Sequence, residues 1–186
     1  MIRIIAGSLK GRLIKTPKAL STRPTQSMLR EAVFNICQNE IEGALFLDLF
    51  AGSGAMGIEA LSRGAAKSVF VEQNRAAFQC IEENIKALAL QTNTQVFAMD
   101  ANKAIALLTK QAAKFTVVYI DPPYDTGFEL TLLEPILAKE ALIFLETRHD
   151  PKRKQETPQY AHFQCKDTRR FGIANLTIFR HNQEIL

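Results

Sequence analysis

Apolar residues in this chain keep two rhythms. Short, largely apolar runs at 44–50, 68–72, 95–99, 115–120 and 141–146 predict five buried strands, each too short for a helix and bounded by turn residues. Between them, 55–62, 74–90 and 101–110 predict helices, with Phe78, Ile81, Ile85 and Leu88 along one face of the second. A further helix near 129–133 is bent or ended by Pro135. After a polar loop at 152–158, residues 160–165 and 173–179 read as a closing antiparallel pair. Strands alternating with helices predict an α/β domain: a mostly parallel sheet covered on both faces, with ligands at the carboxyl ends of the strands.

The first 42 residues follow another pattern. Short apolar stretches at 2–6 and 12–15, around a turn bounded by Gly7 and Gly11, predict a small hairpin. Thr25 is a candidate N-cap for a helix carrying Leu29, Val33 and Ile36, ending before Gly43. Residues 1–42 are thus expected to form an N-terminal appendage of β-hairpin and helix, and 43–186 the main domain.

Charge sharpens that division. Residues 1–30 hold seven basic side chains and no acidic one, residues 31–147 hold eight basic and fifteen acidic, and residues 148–186 hold eight basic and four acidic. Basic ends around an acidic middle fit a chain whose ends grip a polyanion while its middle holds a neutral or cationic ligand. With 186 residues, 47% of them hydrophobic, one well-buried domain is expected. No stretch approaches the roughly 20 apolar residues of a membrane span, so a soluble, cytoplasmic protein is expected, with monomer as the default state. Cys37, Cys80 and Cys165 and the three histidines show no metal-ligand or disulfide spacing, and no metal is expected.

Chemistry enters at the strand ends. Gly52, Gly54 and Gly57 fall between a strand and a helix as G-x-G-x-x-G, with Glu72 twenty residues after Gly52. That spacing alone does not separate a dinucleotide from another adenosine cofactor. Asp48, four residues before the loop, suits a cationic amino or sulfonium group and would repel a pyrophosphate. Asp100 closes the third strand, where it is placed for an adenine contact and equally for capping the next helix. Together these acids point to S-adenosylmethionine. The fourth strand ends in Asp121-Pro122-Pro123-Tyr124, a stiff turn because each proline fixes its own φ and restricts its predecessor. Asp121 and the Pro122 carbonyl can accept hydrogen bonds from one exocyclic NH2, and Tyr124 offers a face for stacking a base.

Arg3-Ile4-Ile5-Ala6-Gly7, Gly11-Arg12, Thr22-Arg23-Pro24-Thr25, Arg30 to Asn35, Asp48 to Ala65 and Asp121 to Tyr124 together resemble the bacterial small-subunit rRNA guanine-N2 methyltransferases, over residues 2 to about 180. That family methylates guanine 966 of 16S rRNA. The resemblance implies a Rossmann-like methyltransferase fold with a seven-stranded sheet, and S-adenosylmethionine along Asp48, Phe50, Ala51, Gly52, Ser53 and Gly54, with Glu72, Gln73, Asp100 and Ala101. It implies catalysis by Asp121, Pro122 and Tyr124, and contact with RNA in a small ribosomal subunit. Arg12, Arg23, Thr25, Arg30, Pro123, Arg169, Arg170 and Phe171 are the candidates for holding the substrate. Phe171 stands where many relatives have tyrosine, so a role needing a hydroxyl is not carried over. The turn alone also serves adenine-N6 DNA methyltransferases, and the glycine motif alone would serve a nicotinamide-dependent oxidoreductase, so both remain as alternatives.

Overall fold

The computed structural model describes residues 1–17, 24–123, 127–150 and 160–182, with backbone only at 24 and 25. Strands β1 (Ile2–Arg3) and β2 (Leu13–Ile14) pair antiparallel as the small hairpin, and α1 (Pro24–Ile36) follows. The main sheet is built from β3 (Leu45–Leu49), β4 (Lys67–Val71), β5 (Thr94–Phe97), β6 (Phe115–Ile120), β7 (Leu137–Arg148), β8 (Phe163–Phe171) and β9 (Ala174–His181). Helices α2 (Ala55–Ser62), α3 (Arg75–Ala87) and α4 (Ala101–Lys110) make the crossovers. Strand order is β5-β4-β3-β6-β7-β9-β8. The first five strands in that order run parallel, and β9 and β8 close the sheet antiparallel.

Alternation along the strands divides the core. Leu47 and Leu49 of β3, with Val118 and Ile120 of β6, pack toward α4 and the 3-10 segment Leu130–Ile136. Phe46 and Val117 face the other way, onto Leu29, Val33 and Phe34 of α1 and Met56 and Ala60 of α2. The hairpin is packed onto that same side: Ile4 and Ile14 are buried with Ile58, Phe70, Ile81 and Ile85. Glu59 of α2 accepts hydrogen bonds from the Ile5 and Ala6 N–H groups at 2.8 and 2.9 Å. Asn84 of α3 accepts from the Lys15 N–H at 2.8 Å and donates to the Lys15 carbonyl at 3.0 Å.

Several elements differ from the expected boundaries. Helix α1 begins at Pro24, one residue before the expected cap, since a proline at the first helical position loses no needed N–H. Helix α3 stops at Ala87, with Asn74 as its cap and Ala89 left-handed at φ 55°. The expected helix near 129–133 is a 3-10 segment that runs through Pro135. Strand β7 starts four residues early, through a register shift opposite Phe115 to Val117. Strand β8 covers 163–171 rather than 160–165, because β8 and β9 meet at a two-residue turn of Gly172 and Ile173. Its residues are mostly exposed and polar, so the alternation that marks a half-buried strand is missing there.

Candidate active site

The chain leaves β3 to build β4 and β5 on one side, then returns to place β6 on the other. Strand order therefore reverses between β3 and β6, and a crevice opens at their carboxyl ends. It has about 650 Å³ of open space, lined by Ile2, Thr16, Leu29, Arg30, Met56, Phe50, Ala51, Gly52, Ser53, Tyr119, Asp121 and Glu146, among others. Hairpin, α1, glycine loop and the ends of β6 and β7 all reach it.

The glycine loop is held from two sides. Phe50 and Gly52 take left-handed φ of 69° and 56°, and Gly54, at 76°, starts α2. Glu72 joins the loop to the end of β4, accepting from Gly52 N–H at 2.8 Å through one oxygen and from Asn74 N–H at 2.7 Å through the other. Gln73 beside it is exposed. Asp48 lies beneath the loop, 1% exposed, and accepts from the Gly57 N–H at 3.0 Å. Burial pushes its pKa up to about 8 against that single backbone donor, with Asp121 and Glu72 adding to the rise. Gly57 lies so close to Phe70 that a Cβ would overlap the ring. Asp100 caps α4, accepting from Asn102 and Lys103 N–H at 2.9 and 3.3 Å, and Ala101 is buried against the core.

The turn after β6 brings Asp121 into the cleft, with Pro122 buried and Pro123 exposed. Tyr124 and Arg23 lie outside the described residues, as does the Thr25 side chain. Burial, then the charge of Glu146, raises the Asp121 carboxyl to about 7. Glu146, two residues before the end of the adjacent strand β7, accepts from the Tyr119 hydroxyl at 2.6 Å. Glu146 and Tyr119 were not among the expected site residues. An acid at a strand end is the signal that singled out Asp48, Glu72 and Asp100, and Glu146 carries it too.

The basic candidates divide. Arg30 is 4% exposed and lines the cleft; it donates to the Arg3 carbonyl at 2.9 Å and lies 3.6 Å from Glu59, which Arg63 also meets at 2.9 Å. Burial lowers its pKa against the pull of Glu59. Arg12, Arg169 and Arg170 are exposed: Arg169 pairs with Asp167 at 2.7 Å, and Arg170 donates to the Gly172 carbonyl at 3.1 Å. Phe171 is partly buried against α1's side of the core. None of these four lines the cleft.

A backbone cradle beside carboxylates that are costly to ionise when the cleft is empty fits an adenosine ligand with a cationic centre. The strand order and this cleft define a Rossmann-like fold of the S-adenosylmethionine-dependent methyltransferase class, with S-adenosylmethionine as cofactor. The chain belongs to the family described as Conserved hypothetical protein 95, whose model matches residues 2–180. It is 39% identical over 151 residues to ribosomal RNA small subunit methyltransferase D of Escherichia coli K12, covering 78% of this chain and 74% of that one. The solved structure of yhhF from Escherichia coli matches with a TM-score of 0.84 at 33% identity, over 98% of this chain and 99% of the other. SMU.776, solved with SAH bound, shares the fold at 16% identity and a TM-score of 0.62, covering 86% of this chain and 50% of that one.

Proposed function

We propose that this chain methylates the exocyclic N2 of a guanine in 16S ribosomal RNA, guanine 966 by family resemblance, within a small ribosomal subunit. The observation that carries the reading is Asp121, which enters the same cleft as the glycine loop from the adjoining strand of the switch point. The likeness to ribosomal RNA small subunit methyltransferase D supports the substrate class. When bound, S-adenosylmethionine supplies an electrophilic methyl group. The guanine N2 lone pair is delocalised into the ring and attacks poorly. Asp121 and the Pro122 carbonyl accept its two N–H bonds and turn the lone pair outward, toward the methyl carbon. With the methyl passed from sulfur to N2, the nitrogen would carry one proton too many, and Asp121 would take it. Tyr124 stacks on the base, which must be unpaired or flipped to arrive. Residues 1–42 serve as the RNA-gripping appendage, and exposed Arg12, Arg169 and Arg170 contact phosphates.

The test is labelled methyl transfer to small subunits purified from cells lacking the protein, with naked 16S rRNA and DNA alongside. Label should be recovered as 2-methylguanosine at one position of 16S rRNA. Label in DNA alone would refute the reading and favour adenine-N6 chemistry.

A further inference from the structure

We infer that Glu146 is the specificity-determining residue of this cleft: it accepts a hydrogen bond from guanine N1–H while Asp121 accepts one from N2–H, and the pair thereby selects guanine over adenine. This rests on the reading of guanine N2 as the methyl acceptor. Strands β6 and β7 run parallel with Ile120 opposite Leu145, so Asp121 and Glu146 leave neighbouring strands at the same level. Both line the cleft, with Tyr119. Parallel strands stand about 4.8 Å apart, so two carboxylates at one level meet a single ring edge.

Tyr119 fixes how Glu146 is presented. Its hydroxyl donates to Glu146 Oε2 at 2.6 Å, a charge-assisted bond that sets the plane of the carboxylate. Burial, reinforced by the Glu146 charge, holds the Tyr119 pKa well above its ordinary value, so the phenol remains a donor. An ionised carboxylate accepts only, at about four lone-pair sites. Guanine offers N1–H and N2–H2 side by side, an edge made of donors. Adenine offers N6–H2 beside a bare N1, and its lone pair would face that of a carboxylate in a site with little water to separate them. A site built for one pattern rejects the other because buried polar groups are left unpaired.

The experiment uses small subunits reconstituted around 16S rRNA ligated to carry guanine or 2-aminopurine at the target. 2-Aminopurine keeps the N2 amino group but has an unprotonated N1. The wild-type protein should prefer guanine in kcat/KM by on the order of 100-fold. Glu146→Gln can still accept from Tyr119 while its amide donates to N1, so the preference should fall by roughly 10–100-fold, with binding of S-adenosylmethionine unchanged. An equal loss on both substrates, leaving the ratio intact, overturns the inference and reduces Glu146 to a structural role. Should Glu146→Gln fail to fold, Tyr119→Phe removes the orienting bond and the same ratio should fall; an unchanged ratio again overturns the inference. Wild-type label in 6-methyladenosine would instead refute the proposed function itself.

Discussion

Replacing Asp48 by asparagine should stabilise the empty protein, by an amount that grows with pH. The group is buried under the glycine loop and its carboxyl is raised to about 8, from 3.8 in an unperturbed chain. Below about pH 4 the carboxyl is protonated in both folded and unfolded states and contributes nothing to the difference. Above that, the unfolded chain releases the proton while the fold retains it, so stability is lost progressively until the folded group also ionises near pH 8. At about 1.4 kcal/mol per pH unit the penalty reaches about 4 kcal/mol at pH 7. The asparagine is neutral throughout and keeps an oxygen for the Gly57 N–H, while its NH2 must find a new acceptor. That discounts the gain to about 1–3 kcal/mol at pH 7, since an unsatisfied buried donor costs about 1–3 kcal/mol. Urea unfolding of both proteins at pH 5, 6, 7 and 8, without cofactor, measures it. The advantage of Asp48→Asn should widen by about 1.4 kcal/mol per pH unit up to pH 7 and by less toward pH 8. An advantage that stays flat with pH, or a variant less stable throughout, would refute the argument.

Two other outcomes follow from the same geometry. Gly57→Ala places a methyl against the fully buried ring of Phe70, which has no room to retreat; unfolding should show a loss of about 1–3 kcal/mol, and wild-type stability would count against the packing described. In the proposed mechanism methyl transfer needs Asp121 ionised, and its carboxyl sits near 7, so kcat/KM at limiting S-adenosylmethionine should fall about tenfold per pH unit below pH 7 and level off above it. A flat profile between pH 5.5 and 8 would remove Asp121 from its role.

The sheet was legible where burial wrote it. Runs flanking Asp48 and Asp121 belong to strands buried on both faces, so they stand out as unbroken apolar stretches. Strand β8 was not, because its exposed Lys166, Asp167, Arg169 and Arg170 follow the rules of an edge and leave no apolar alternation. The glycine loop and the acids at strand ends were readable from local order alone. The burial of Arg30 was not readable, since its partner Glu59 lies 29 residues away on another helix and only the fold brings them together. Glu146 carried the mark of an acid closing an apolar run, but Tyr119 was hidden for the same reason as Glu59: its bond to Glu146 joins strands whose residues lie 27 apart.

Glu59 explains why the N-terminal segment matters to the cleft at all. One buried carboxylate takes two hairpin N–H groups, the Arg63 guanidinium and the neighbourhood of Arg30. The helix that carries it, α2, begins at Gly54 in the glycine loop. An isolated buried ion pair is weak evidence for stability, because desolvation offsets most of its attraction. Here the acid also accepts from two backbone donors of the hairpin, so releasing the hairpin costs Glu59 both bonds and leaves it to Arg63 and Arg30. The hairpin therefore detaches as a unit or stays in register. Ile2 and Thr16, which it contributes to the cleft wall, are fixed relative to the glycine loop by bonds to the same helix. The basic segment proposed to dock on RNA is thus joined to the glycine loop through α2 and not through a flexible tether.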